Sequence, residues 1–116
     1  MKIPELFKDS ELTCSCGCGM LPDKKAVDKL YALRLIYNKP LTVTSAARCP
    51  NYNKRIGGAA TSQHITGKAF DLAVPPEDEW EVIRIAQAVG FKGIGLNNNK
   101  FIHVDDRDTQ PTMWTY

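Results

Sequence analysis

His64 and His103 are the only two histidines among 116 residues, and each stands near a carboxylate. Seven residues after His64 comes Asp71, inside the run Ala69-Phe70-Asp71-Leu72-Ala73-Val74. His103 sits in a second short run, Phe101-Ile102-His103-Val104-Asp105. Two imidazoles and one carboxylate are the smallest protein donor set for a catalytic zinc whose fourth position stays open to water. Borderline nitrogen together with hard oxygen suits zinc better than calcium or magnesium. A histidine beside an aspartate is most often an ordinary polar pair, so spacing alone does not establish a metal site. The surroundings favour one. His64 follows Ser62-Gln63 and precedes Gly67, where the backbone can turn sharply, and Asp71 lies on the strand that leaves this turn.

The elements that must position these residues follow in order along the chain. A short turn-helix is predicted over 4–12, with Leu6, Phe7 and Leu12 as its apolar face. Pro22 and Asp23 suit a helix start, and Val27, Leu30, Leu33 and Tyr37 predict an amphipathic helix over 22–37, ended by Asn38-Lys39-Pro40. The alternating, β-branched Leu41-Thr42-Val43-Thr44-Ser45 predicts a strand that delivers Ser45 and Arg48 at its exit. Pro50 to Ile56 reads as one short helix closed by Gly57-Gly58, and 59–63 as a loop leading to His64.

A strand over 67–74 is broken by Pro75-Pro76. The helix that follows has Glu77, Asp78 and Glu79 in its first turn and Gly90 as its cap. Its apolar stripe is Trp80, Val82, Ile83, Ile85, Ala86 and Val89. Strands over 91–96 and 101–105 pair back across Asn97-Asn98-Asn99-Lys100. In the tail, Trp114 and Tyr116 are expected to close the core rather than line a groove. Helices between non-local strands, with one hairpin, predict a single α+β domain over 1–116: a small antiparallel sheet carrying the metal residues, flanked by helices. Side chains two apart on a strand share a face, so Phe101, His103 and Asp105 are expected to point the same way.

These separated motifs resemble one known family. Ser62-x-His64-x-x-Gly67-x-Ala69-x-Asp71, followed by His103-x-Asp105, is similar to the zinc D-alanyl-D-alanine carboxypeptidase family of cell-wall peptidases. Its superfamily includes lysostaphin-type endopeptidases, the D-Ala-D-Ala dipeptidases of vancomycin resistance and the hedgehog signalling domain. Ser45-x-x-Arg48-Cys49-Pro50-x-x-Asn53 and Gly57-Gly58 join the resemblance, which runs roughly from Phe7 to Trp114.

The resemblance implies a sheet with zinc on its open face, helices behind it, and His64, Asp71 and His103 as the ligands. It implies hydrolysis of a peptide bond in peptidoglycan, as a D,D- or L,D-carboxypeptidase or an endopeptidase, by a water that zinc activates. The alternative is a catalytically weak or inactive zinc-stabilised binding module, as in the hedgehog-type relatives. The family has an arginine at the place of Arg48, whose charged fork suits an oxyanion or a terminal carboxylate. In one respect the chain departs from the pattern. Many relatives carry Glu or Asp three residues before the last ligand histidine, where this chain has Lys100. Asp105 then becomes the nearest candidate for general base, with orientation of a ligand histidine as its other role. Ser45 and Ser62 are expected to shape turns rather than act as nucleophiles.

Composition sets limits on partners. A net charge of +2, from 15 basic and 13 acidic residues, is too small to draw nucleic acid or a membrane surface. No apolar run approaches the roughly 18 residues that cross a membrane. The expected partner is the peptidoglycan stem peptide, met by a monomer. Met1-Lys2-Ile3-Pro4-Glu5 has no apolar segment of the signal-peptide kind. The expectation is synthesis in the cytoplasm and action on the wall, from the periplasm or delivered by a virion if the protein is phage-encoded. Of the four cysteines, three form Cys14-Ser15-Cys16-Gly17-Cys18 and the fourth is Cys49. Such tight spacing resists two disulfides within the cluster, and structural zinc more often uses CxxC pairs. Reduced thiols in a Gly-rich turn are expected, with a bridge to Cys49 as the rival.

Overall fold

The strands bearing Asp71 and His103 are direct neighbours in one five-stranded sheet, and Asp71 pairs opposite His103. The structure, a computed structural model, describes residues 7, 9–59, 61–97 and 100–116. Residues 1–6, among them Leu6 of the first turn-helix, and Asn98-Asn99 of the predicted turn lie outside the described residues.

In chain order the elements are α1 (Asp9–Leu12), α2 (Lys24–Tyr37), β1 (Thr42–Ser45), α3 (Pro50–Arg55), β2 (Ala69–Ala73), α4 (Glu79–Val89), β3 (Gly93–Asn97), β4 (Phe101–Asp105) and β5 (Thr112–Thr115). The sheet order is β1-β2-β4-β3-β5. The fold is α+β, as expected, but the sheet is mixed rather than purely antiparallel. β5 adds to the outer edge and runs parallel to β3. The cause is the short 106–111 connection, which returns the chain antiparallel to β4 but one strand away, so β3 lies between them.

Period-two alternation divides the sheet into two faces. Phe70 and Leu72 of β2 lie opposite Val104 and Ile102 of β4, which lie opposite Ile94 and Leu96 of β3. These residues meet Leu30 and Leu33 of α2 and Val82 of α4 in the hydrophobic core. Asp23 caps α2, its carboxylate accepting from the Ala26 amide at 3.1 Å, which satisfies an otherwise unpaired donor. Trp80 does not join the apolar stripe of α4 and is 82% exposed. It stands two residues before Val82, about 200° round the helix, and so faces away from the core.

The opposite face carries the candidate site. Ser45, Asp71, His103, Gly95 and Trp114 form one transverse row across all five strands. Asp106, just past β4, points back to α2, where its carboxylate accepts from Lys29 Nζ at 2.5 Å.

Candidate metal centre and its cleft

His64 comes to this face from outside the sheet. It sits in a 3-10 turn, Gln63–Thr66, which opens with Ser62 Oγ accepting from the His64 amide at 3.1 Å and closes at Gly67. The turn is held on both sides: the Arg48 amide donates to the His64 carbonyl at 3.0 Å, and the Asp23 amide to the Gly67 carbonyl at 2.8 Å. His64 Nε2 lies 3.2 Å and His103 Nδ1 3.0 Å from the same oxygen, Asp71 Oδ1. All three side chains are buried, and their donor atoms lie within 4.8 Å of one another.

The outer nitrogen of each ring is engaged. The Ala46 carbonyl can only accept, so His64 Nδ1 carries the proton in their 2.6 Å bond. The carboxylate of Asp105 likewise accepts from His103 Nε2 at 2.7 Å. Each outer bond leaves the inner nitrogen turned toward Asp71, the arrangement that fixes metal-binding histidines. Bonds of about 2.0 Å to a tetrahedral zinc put ligand atoms about 3.3 Å apart, close to the spacing found here. The donor set therefore fits zinc, with a fourth position left for water.

Asp105 is fully buried, with 0% exposure. Its Oδ1 accepts from Arg107 Nε at 2.8 Å and from the Arg107 amide at 3.2 Å, while Oδ2 accepts from Arg107 Nη2 at 2.7 Å as well as from His103. The shared face of His103 and Asp105 is as strand parity predicts. Gly93 lies opposite Asp105, and a Cβ there would collide with the carboxylate. Gly95 serves Trp114 in the same way: a Cβ would stand 2.7 Å from the indole, which lies over the strand with its ring 5.3 Å from that of His103. Arg107 in turn stacks on Trp114 at 4.8 Å.

Arg48 lies on the other flank, its side chain 13% exposed. Nε donates to Ser45 Oγ at 3.1 Å, Nη1 to Asn53 Oδ1 at 3.1 Å, and Nη2 approaches Asp71 Oδ2 at 3.5 Å. Asn53 is anchored by donating to the Ala59 carbonyl at 2.9 Å. A cleft of about 470 Å³ opens above these groups, bordered by Arg48, His64, Asp71, His103, Phe101 and the tail aromatics Trp114 and Tyr116. The expectation that Trp114 and Tyr116 close the core is thus corrected. β5 is an edge strand on the open face, so these rings border the cleft. Arg107 also lines the cleft and was not singled out from the sequence; its place two residues after Asp105 is the signal for it. Lys100 is exposed and outside the cleft lining, where Asp71 is the only carboxylate among the described residues.

Burial works against ionisation of Asp71, but the adjoining rings of His103 and His64 outweigh it and lower its pKa to about 2. Burial also opposes the charge on Asp105, where bonds from Arg107 and His103 again prevail and bring it to about 2. Burial pulls His103 down, yet Asp105 and Asp71 raise it above its ordinary value. In metal-free protein the signs follow. Both carboxylates are lowered, so their contribution is complete above about pH 4 and is lost as pH falls toward 2. A drop from 3.8 to about 2 corresponds to about 2 kcal/mol for each, and the two share His103, so they do not add. The His103 contribution is complete below about pH 6.5 and is lost as pH rises through its raised value. Thermal melts of chelator-treated protein should peak between about pH 4 and 6.5, and Asp71→Asn should flatten the acid limb. An acid limb identical in that variant would remove Asp71 as its source.

A search of curated proteins found no match. The family model described as Peptidase M15 matches residues 5–105, a span that holds all three converging donors together with Arg48 and Asp105. On that match the chain belongs to the peptidase M15 family, a family of zinc-dependent metallopeptidases.

Proposed function

We propose that this chain is a zinc peptidase that hydrolyses a peptide bond in bacterial peptidoglycan, as a D,D- or L,D-carboxypeptidase or an endopeptidase. The observation that carries the reading is the convergence of His64, Asp71 and His103 beneath an open cleft, each histidine with its outer nitrogen engaged. Zinc held there supplies a Lewis acid for the scissile carbonyl and activates a water for attack. Arg48 is held in place before substrate arrives, by Ser45 and Asn53, and offers its fork to an oxyanion or to the carboxylate of a stem peptide. The rings of Phe101 and Tyr116 pack at a tilt with centres 5.5 Å apart, and with Trp114 they give the cleft an apolar wall for the aliphatic parts of that peptide. Both oxygens of Asp105 are occupied and buried, which favours positioning of His103 over proton transfer. The candidate donors and Arg48 all come from one chain, which supports a monomer as the working unit.

The lining of the cleft gives a second reading its footing. With no carboxylate but Asp71 among the described lining residues, the general base must come from elsewhere, and a weakly active or inactive binding module fits that lack. Digestion of purified cell walls, followed by mass spectrometry of the muropeptides, decides between the two. The peptidase reading expects a chelator-sensitive mass loss that names the bond. Unchanged muropeptides with zinc-loaded protein would support the binding module.

Arg48→Lys provides a narrower check. It keeps the charge but loses the fork, so turnover should fall on the order of 10²-fold, with zinc at the cleft unchanged. Unaltered kinetics on a wall peptide would remove Arg48 from the site.

A further inference from the structure

We propose a second metal site, a closed four-cysteine zinc centre built by Cys14, Cys16, Cys18 and Cys49. Their four sulfurs lie within 4.8 Å of one another, although Cys49 follows Cys18 by 31 residues. Cys14 Sγ lies 3.4 Å from Cys16 Sγ, and Cys16 Sγ lies 3.6 Å from Cys49 Sγ. Zinc–sulfur bonds of about 2.3 Å place the corners of a tetrahedron about 3.8 Å apart, so a small relaxation brings all four sulfurs onto one ion.

Hydrophobic packing does not account for the gathering, because Cys16 and Cys18 are exposed. Disulfides account for it poorly. Two bridges among these four residues require at least one bond within or beside the tight Cys14–Cys18 loop, against the usual Cα separation, and a single bridge leaves two thiols in the cluster unexplained. A metal uses all four sulfurs at once.

The loop is shaped for this arrangement. The Cys14 amide donates to the Met20 carbonyl at 3.1 Å and the Gly17 amide to the Cys14 carbonyl at 3.2 Å, curling the chain so that alternate residues turn inward. Gly17 and Gly19, with φ of 83° and 86°, take the left-handed conformations that this curl needs. Two amides also donate to sulfur: that of Cys49 to Cys14 Sγ and that of Tyr52 to Cys49 Sγ, each at 3.4 Å. Bonds of this kind hold ligands in place around a metal.

With four thiolates the coordination is complete, so the role is structural rather than catalytic. The centre would clamp the 12–18 segment to Cys49, the residue after Arg48. The Ala47 amide already donates to the Leu12 carbonyl across the same junction, at 3.4 Å. The clamp thus fixes the backbone from which Arg48 reaches the cleft. It does not depend on the cleft holding zinc.

The test is metal analysis of the full chain purified in reducing buffer. Wild type should carry two zinc ions per chain, and His64→Ala/His103→Ala should keep one. Cys18→Ser in that background should lose the remaining ion. Cobalt exchange should give sulfur-to-cobalt charge-transfer absorption in wild type, where the cleft offers no sulfur ligand; this reading stands even if a variant fails to fold. One zinc per chain with sulfur-to-cobalt absorption intact would count against the cleft and for the cysteine centre. Absence of that absorption, or iron in place of zinc, would overturn the proposal.

Discussion

His103→Ala is expected to remove the cleft zinc and the peptidase activity together, lowering zinc content by one ion per chain. The variant leaves His64 and Asp71 as the only protein donors, and two donors do not hold a catalytic zinc tightly. The accompanying cost in stability should exceed what a missing ligand costs elsewhere, because His103 occupies the middle of the transverse row. It touches Asp71 through Nδ1 and Asp105 through Nε2, and it underlies the indole of Trp114. Without the imidazole, the buried Asp105 keeps Arg107 but loses its second partner. His64→Ala should match the metal loss with a smaller cost in stability, since its outer nitrogen bonds only to a backbone carbonyl. Asp71→Asn should retain some zinc at reduced affinity, because the amide oxygen still coordinates without its charge. Zinc affinity from chelator competition, measured beside muropeptide release below each variant's melting temperature, checks all three. Full zinc and full activity in His103→Ala would dismiss the centre.

The ordering of these expectations shows which parts of the site are written locally. The run Phe101-Ile102-His103-Val104-Asp105 alternates cleanly, so the bounds of β4 and the shared face of His103 and Asp105 could be read without coordinates. Which nitrogen of His103 meets which carboxylate could not, because that depends on β2 lying alongside with Asp71 in register. β5 was missed for a related reason. Thr112-Met113-Trp114-Thr115 is short and mostly exposed, and its place is set by amides such as that of Thr112 donating to the Lys92 carbonyl at 2.8 Å. Read as tail, the segment leaves core packing as the expected place of Trp114. A local clue did exist in Gly93-Ile94-Gly95, where glycine at alternate positions of a strand marks a face that something else must cover. The cysteines are the extreme case. The sequence offers a bridge from the cluster to Cys49 only as a rival reading, and the meeting of all four sulfurs at one point depends on the folded chain.

Asp105→Asn is expected to loosen zinc at the cleft by about 10- to 100-fold while leaving turnover of the zinc-loaded protein nearly unchanged. The side chain keeps its shape, so the change isolates charge and acceptor capacity. In the native protein the carboxylate accepts from His103 Nε2 at 2.7 Å and from Arg107 Nη2 and Nε at 2.7 and 2.8 Å. An amide has one oxygen for those donors and presents its own N–H groups to the rest. Either Arg107 or His103 must therefore lose its partner at a carboxylate that is shut off from solvent. The imidazole is then free to turn, and Nδ1 no longer points steadily at the metal position. Arg107→Gln should shift zinc affinity in the same direction but less, since Asp105 would keep His103 as its partner. A general base behaves differently: zinc would stay bound while turnover fell by roughly 10²–10⁴. Strand parity is compatible with both roles. Burial separates them, because a carboxylate with 0% exposure and both oxygens bonded has no lone pair turned toward a substrate in the cleft. Zinc affinity held at the wild-type value beside a collapse in turnover would reverse this assignment and make Asp105 the base.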